Sequence, residues 1–157
     1  MVIQEDYDLA VAAESFRSVF LEAIDLRGYY PYIDAISYCS KGYFFKKYNK
    51  ESAMATLPHP LALIGVRGKA SKILVFPGAF VPQFTLDDFL GCLLHHEGEH
   101  AKDFYENSAN VINIFRKSIR RTRELKAYTN QMRRINQGIH SSAYVPSILE
   151  RMNQALL

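Results

Sequence analysis

The stretch His96-Glu97-Gly98-Glu99-His100 holds the residues of this sequence whose types and spacing best fit chemistry. Two imidazoles at i and i+4 stand one turn apart on the same helix face, where both reach one cation. Zinc favours imidazole nitrogen, and a catalytic zinc site needs three protein ligands and a fourth position open to water. Glu97, offset around the helix from His96, is placed to take a proton from water without occupying the metal. Gly98 and Glu99 carry no required chemistry. A helix-interior glycine costs about 1 kcal/mol relative to alanine, so a close helix or strand contact at Gly98 is expected. His95 points about 100° away from His96 and reads as a packing or supporting residue. His59, between Pro58 and Pro60, reads as a loop residue.

The elements that must position this motif follow from hydrophobic periodicity. Residues 5–26 predict one amphipathic helix, with Leu9, Ala13, Phe16, Phe20, Leu21 and Ile24 near helical spacing and Gly28 and Pro31 beyond it. Residues 29–48 are dense in Tyr and Phe and leave strand or short helix open; packing is the expected role of these rings. Two β-type runs, 61–66 and 73–76, flank Arg67-Gly68-Lys69-Ala70-Ser71 and predict a hairpin, with 79–81 continuing as an edge segment. Thr85, with Asp88 three residues on, predicts a capped helix start, and that helix runs through the motif to about Glu106. A second, longer helix is expected over 108–137, ending near Gly138, and a short final helix after Pro146. The order is an α+β arrangement in a single domain over residues 1–157.

Composition sets the class. The chain has 157 residues, 48% of them hydrophobic and 22% charged, the balance of an ordinary globular domain able to bury a core. No apolar run approaches membrane-spanning length, so no membrane partner is expected. The acidic opening Met1-Val2-Ile3-Gln4-Glu5-Asp6 lacks an export signal's apolar core, and the two distant cysteines, Cys39 and Cys92, read as free thiols. The expected location is therefore the cytoplasm. Net charge is +3, unevenly spread: residues 107–157 carry nine of the 19 Lys and Arg but only two of the 16 Asp and Glu, Glu124 and Glu150. Such a segment reads first as a solvated basic helix face and second as a surface for an acidic partner or nucleic acid.

Through the motif helix the chain resembles the zincin metallopeptidases, over roughly residues 61–137. The resemblance implies a minimal zincin-like domain: a small β-sheet, an active-site helix carrying the motif and a long helix after it. Which zincin type it implies depends on the third ligand. In metzincins a glycine turn follows the second histidine; here Asp103 and Glu106 stand at the relevant positions, without the turn. In gluzincins the third ligand is a glutamate on the next helix, followed at the third position by a small residue, and Glu124-Leu125-Lys126-Ala127 matches that pattern. The implied ligands are thus His96, His100 and Glu124 on Zn2+, with Glu97 as general base. Glu124 is also the lone acid among Arg120, Arg121, Arg123 and Lys126, where helix salt bridges are the plainer role. Tyr128, one turn beyond Glu124, is a candidate to orient a ligand histidine or to pack in the core. His140 and Tyr144 are the candidates to stabilise the oxyanion.

The implied activity is hydrolysis of peptide bonds by zinc-activated water, on a peptide or protein bound by strand addition at 73–76 or 79–81. A contrasting reading is a catalytically silent zincin scaffold that binds or regulates, contacting nucleic acid through the basic helix over 116–134. Retention of Glu97 argues against it, since holding zinc does not require that carboxylate. A carboxylate-bridged di-iron protein would share Glu97-x-x-His100 but needs a second Glu-x-x-His, which the sequence lacks.

Overall fold

The chain opens on two short helices rather than one. The computed structural model describes residues 1–50, 52–107, 117–136 and 145–156. Helix α1 spans Gln4–Ala12 and α2 spans Arg17–Glu22, separated by an extended Ala13 and a 3-10 turn. The single helix expected over 5–26 is therefore corrected. Its break is supported by Arg17, whose guanidinium donates to the carbonyls of Ala10 (2.8 Å) and Val11 (3.1 Å). These carbonyls at the end of α1 lack helical partners, so a cation reaching back replaces the next turn. The bend lets Tyr7 and Phe20 meet from different helices in one aromatic cluster with Phe80 and Phe89.

The aromatic-rich region resolves into a 3-10 turn at Arg27–Tyr29, strand β1 (Ile33–Tyr38) and helix α3 (Tyr43–Tyr48). Strand β2 (Met54–Leu57) and strand β3 (Ser71–Val75) complete a three-stranded sheet of order β1-β3-β2. β1 runs parallel to β3, with Ile36 opposite Ile73, and β2 runs antiparallel to it, with Thr56 opposite Ile73. Ser71, Ile73 and Val75 alternate onto the buried face, as period-two geometry requires.

The predicted hairpin is not formed. Residues 61–66 hold a 3-10 turn at Ala62–Ile64, in which only Ala62 is buried. Gly65 follows at a φ of +92°, a left-handed conformation that stops extension. The run at 73–76 does supply strand, but the central one. Residues 79–81 form no edge, because Pro77–Ala79 is a 3-10 turn.

Thr85 caps helix α4 (Leu86–Leu90) as expected. Its hydroxyl accepts from the Asp88 N–H at 3.2 Å, and the Asp88 carboxylate accepts from the Thr85 N–H at 3.0 Å. The rod continues through a π-helical segment, Gly91–Glu97, into α5 (Gly98–Glu106). Helix α6 covers Lys117–Asn136 and α7 covers Val145–Leu156, beginning one residue before Pro146. The molecule is thus mixed α+β, with the sheet and the motif rod sharing one core: Ile73 and Val75 cluster with Phe89, Leu93 and Ala101. No helix among the described residues is long and apolar enough to cross a membrane.

Candidate metal centre

The motif histidines sit on the inner side of the rod and are 5% (His96) and 9% (His100) exposed. His96 lies in the π-helical segment and His100 in α5, yet their rings remain neighbours, 5.1 Å between centroids. Glu124 reaches them from α6. Its Oε1 lies 3.0 Å from His100 Nε2, and its Oε2 lies 3.5 Å from His96 Nε2. One ligand atom from each of the three residues falls within 4.8 Å of the others. Glu106, the alternative third ligand, is not in this group, nor is Asp103, which stands where metzincins have the glycine turn. Glu106 is exposed, and Asp103 is committed to Arg123.

The three donors could hold a metal ion, and zinc is a cation that their chemistry suits. Bonds of about 2.0–2.1 Å in a tetrahedral set put ligand atoms about 3.3 Å apart. The two carboxylate–imidazole gaps bracket that value. Two imidazoles and one carboxylate are also a zinc-type donor set that leaves a fourth position for water. Zinc, when bound there, would polarise a carbonyl oxygen and acidify a water molecule.

The electrostatics of the three groups are coupled. Burial disfavours the charged forms of both Glu124 and His100, but their mutual hydrogen bond and attraction win. Glu124, contacted by both histidines, is held well below the usual carboxylate range, and His100 is raised above an ordinary imidazole. Cys92 does not join them: its buried thiol is pushed up to about 12, first by desolvation and then by the Glu97 and Glu124 charges.

Glu97 stands beside the triad and is itself 7% exposed. Thr56 on β2 lies against it, with its hydroxyl 2.5 Å from Glu97 Oε2 and 3.1 Å from the Glu97 carbonyl oxygen. The Glu97 charge acts on His100, which places it in electrostatic reach of the centre. Tyr128 covers His96 from α6, ring centroids 4.2 Å apart and tilted by 60°. The other ring nitrogen of His96, Nδ1, is buried with no hydrogen-bond partner among the described residues. Packing against Tyr128 therefore orients this imidazole, in the place of the hydrogen bond that usually does so. The Tyr128 phenol is pushed up to about 12, chiefly by burial and then by Glu124, with Arg151 of α7 opposing.

His95 turns away from the centre, its Nδ1 hydrogen-bonded to the Tyr29 hydroxyl. That tyrosine accounts for Gly98: a β-carbon there would lie 2.7 Å from the Tyr29 ring. His59 accepts the Leu61 N–H at 3.0 Å and is a loop residue, as its prolines suggest. His140 and Tyr144 lie outside the described residues.

Beyond the Glu124 contacts, polar contacts not foreseen from the sequence join α6 to the motif rod in antiparallel order among the described residues. Arg123 meets Asp103 at 2.7 Å, Lys126 meets Glu99 at 3.5 Å and Asp103 at 3.8 Å, and Asn130 donates to the His95 carbonyl at 2.7 Å. The available signal was Asp103 itself, seven residues after His96 and three after His100, hence on the stripe that carries the two histidines. Glu99, assigned no chemistry of its own, thus contacts the helix that carries Glu124.

Comparison with protein-family models, curated proteins and solved structures finds no match to the chain. The chemistry of the centre is therefore read from its own donors.

Proposed function

We propose that this chain is a zinc-dependent peptidase of gluzincin-like design, with His96, His100 and Glu124 holding the metal and Glu97 as general base. The observation that carries the reading is the convergence of Glu124 on the two motif histidines while Glu97 stays outside the group. Three ligands and a separate, buried carboxylate are the minimum for metal-assisted hydrolysis. Glu97 takes the proton of the attacking water and later gives it to the leaving amine. Thr56 holds one oxygen of the Glu97 carboxylate by a hydrogen bond. His140 and Tyr144 remain the candidate donors to the developing oxyanion.

The sheet supports an extended substrate, although not on the strand expected from the sequence. β3 is internal, so strand addition falls to β2, an edge whose Thr56 already touches Glu97. A peptide backbone paired to β2 would lie alongside the general base. The basic-helix reading loses part of its surface, since Arg123 and Lys126 face Asp103 and Glu99 rather than a polyanion.

Metal analysis of untagged protein should give about one zinc per chain. Glu97→Gln should keep that zinc and lose at least about 100-fold in peptide hydrolysis. Protein with no zinc uptake on titration would end the metal reading. Full zinc with no hydrolysis of a peptide library by the wild type would favour the silent scaffold.

A further inference from the structure

We infer that the Asp103–Arg123 ion pair sets the register of α6 on the motif rod, which makes Asp103 and Arg123 positioning residues for Glu124. The inference rests on the metal reading above. Two ligands share one rigid rod, so their separation is a local matter of helix geometry. The third comes from another helix, and a metal site tolerates only about 0.5 Å of misplacement. Something outside the centre must therefore fix how far α6 slides along the rod.

Of these contacts between the helices, the Asp103–Arg123 pair is suited to this. Lys126 is 53% exposed, 3.5 Å from Glu99 and 3.8 Å from Asp103, and pairs made by so exposed a side chain are weak and tolerant. The Asn130 contact is to a backbone carbonyl and fixes the far end. Arg123 and Asp103 have side chains only 8% and 13% exposed. The guanidinium also lies over the buried Phe104 ring, 4.9 Å from its centroid. Arg123 thus grips two consecutive residues of α5, and Glu124 is the next residue along α6. A one-turn slip of α6, about 5.4 Å, would strand both charges in a buried seam. An ion pair that adds little net stability can still forbid the wrong registers, and here the register it permits delivers Glu124 to His96 and His100.

This role is separable from a merely structural one. The double variant Asp103→Leu/Arg123→Met keeps the volume and removes both charges, a change that commonly preserves stability. The metal-free double variant should still unfold cooperatively, while zinc affinity, measured by chelator competition, should fall about 10–100-fold. A folded double variant that binds zinc within twofold of the wild type overturns the inference. Asp103→Asn is the milder companion if the double variant does not fold. It should weaken zinc at least threefold, and unchanged affinity again overturns the role. If the wild type takes up no zinc, the metal reading fails, but register is still readable. Nuclear Overhauser contacts between the His96 and Tyr128 rings in metal-free protein should be present in the wild type and lost in the double variant. Their persistence in both overturns the inference on its own.

Discussion

Thr56 and Glu97 are 41 residues apart in sequence, yet the threonine hydroxyl lies 2.5 Å from a carboxylate oxygen of the glutamate. The contact ties the edge strand of the sheet to the residue that follows the first motif histidine. It serves two functions: it orients the carboxylate and places the β2 edge beside it.

Thr56→Val keeps the shape of the side chain and removes the hydroxyl. A hydrogen bond to a charged group contributes roughly 1.5–3 kcal/mol, so the reaction should slow by about 10–100-fold. Zinc content should not change, because the hydroxyl of Thr56 bonds to Glu97 and not to the three proposed ligands. Steady-state kinetics beside metal analysis separate the two effects, and a matching loss of zinc would show that Thr56 supports the fold of the centre instead.

Glu124→Ala removes the proposed third ligand and also the partner of both histidines. Supporting residues around metal ligands typically contribute 10–100-fold in affinity, so loss of the ligand itself should exceed about 100-fold. Chelator competition measures this directly. Wild-type affinity in Glu124→Ala would return the third-ligand question to residues outside the described set.

The metal-free protein should carry a pH signature of the same cluster. Glu124 titrates below its ordinary value in the fold, so its contribution is present above the ordinary carboxyl pKa and fades as pH falls. His100 titrates above its ordinary value, so its contribution is full below the ordinary imidazole pKa and fades as pH rises. Both terms are present together between roughly pH 4.3 and 6.5. Denaturant unfolding in chelator across pH 3–9 should show a stability maximum there, and Glu124→Gln should flatten it. An unaltered profile in Glu124→Gln would remove the cluster as its source.

Gly98→Ala should destabilise despite the better helix propensity of alanine. The gain of up to about 1 kcal/mol is opposed by a β-carbon 2.7 Å from the Tyr29 ring, which His95 holds by hydrogen bond. Overpacking of this kind costs about 1–3 kcal/mol. The melting temperature should fall by a few degrees, and Tyr29→Ala in the same chain should relieve the clash. A rise in melting temperature in Gly98→Ala alone would contradict the close packing.

Much of the centre was legible because it is local. The i, i+4 spacing of His96 and His100, the Thr85–Asp88 cap and the tight neighbour at Gly98 all follow from helix periodicity and backbone sterics within a few residues. Glu124 stood out as the lone acid in a basic helix. The break at Ala13 was not legible, because the apolar spacing continues across it and only the reach of Arg17 to the α1 carbonyls offsets the lost turn. β2 was missed because four residues, Met54–Leu57, are too few to show a period of two. The run at 61–66, with its Leu, Ile and Val, has the composition of a strand, but Gly65 at a positive φ bends it away.

The sequence by itself placed His96 and His100 one turn apart on one helix and singled out Glu124 as the lone acid of the next. Tertiary structure alone decided which strand is the edge, that Thr56 holds Glu97, and that Asp103 meets Arg123 so that Glu124 arrives beside His96 and His100. The physical reason is one of range. Periodicity and capping are fixed by neighbours a few residues apart, whereas register between a strand and a helix, or between two helices, is fixed by buried polar pairs 20 to 41 residues apart whose partners no local pattern names.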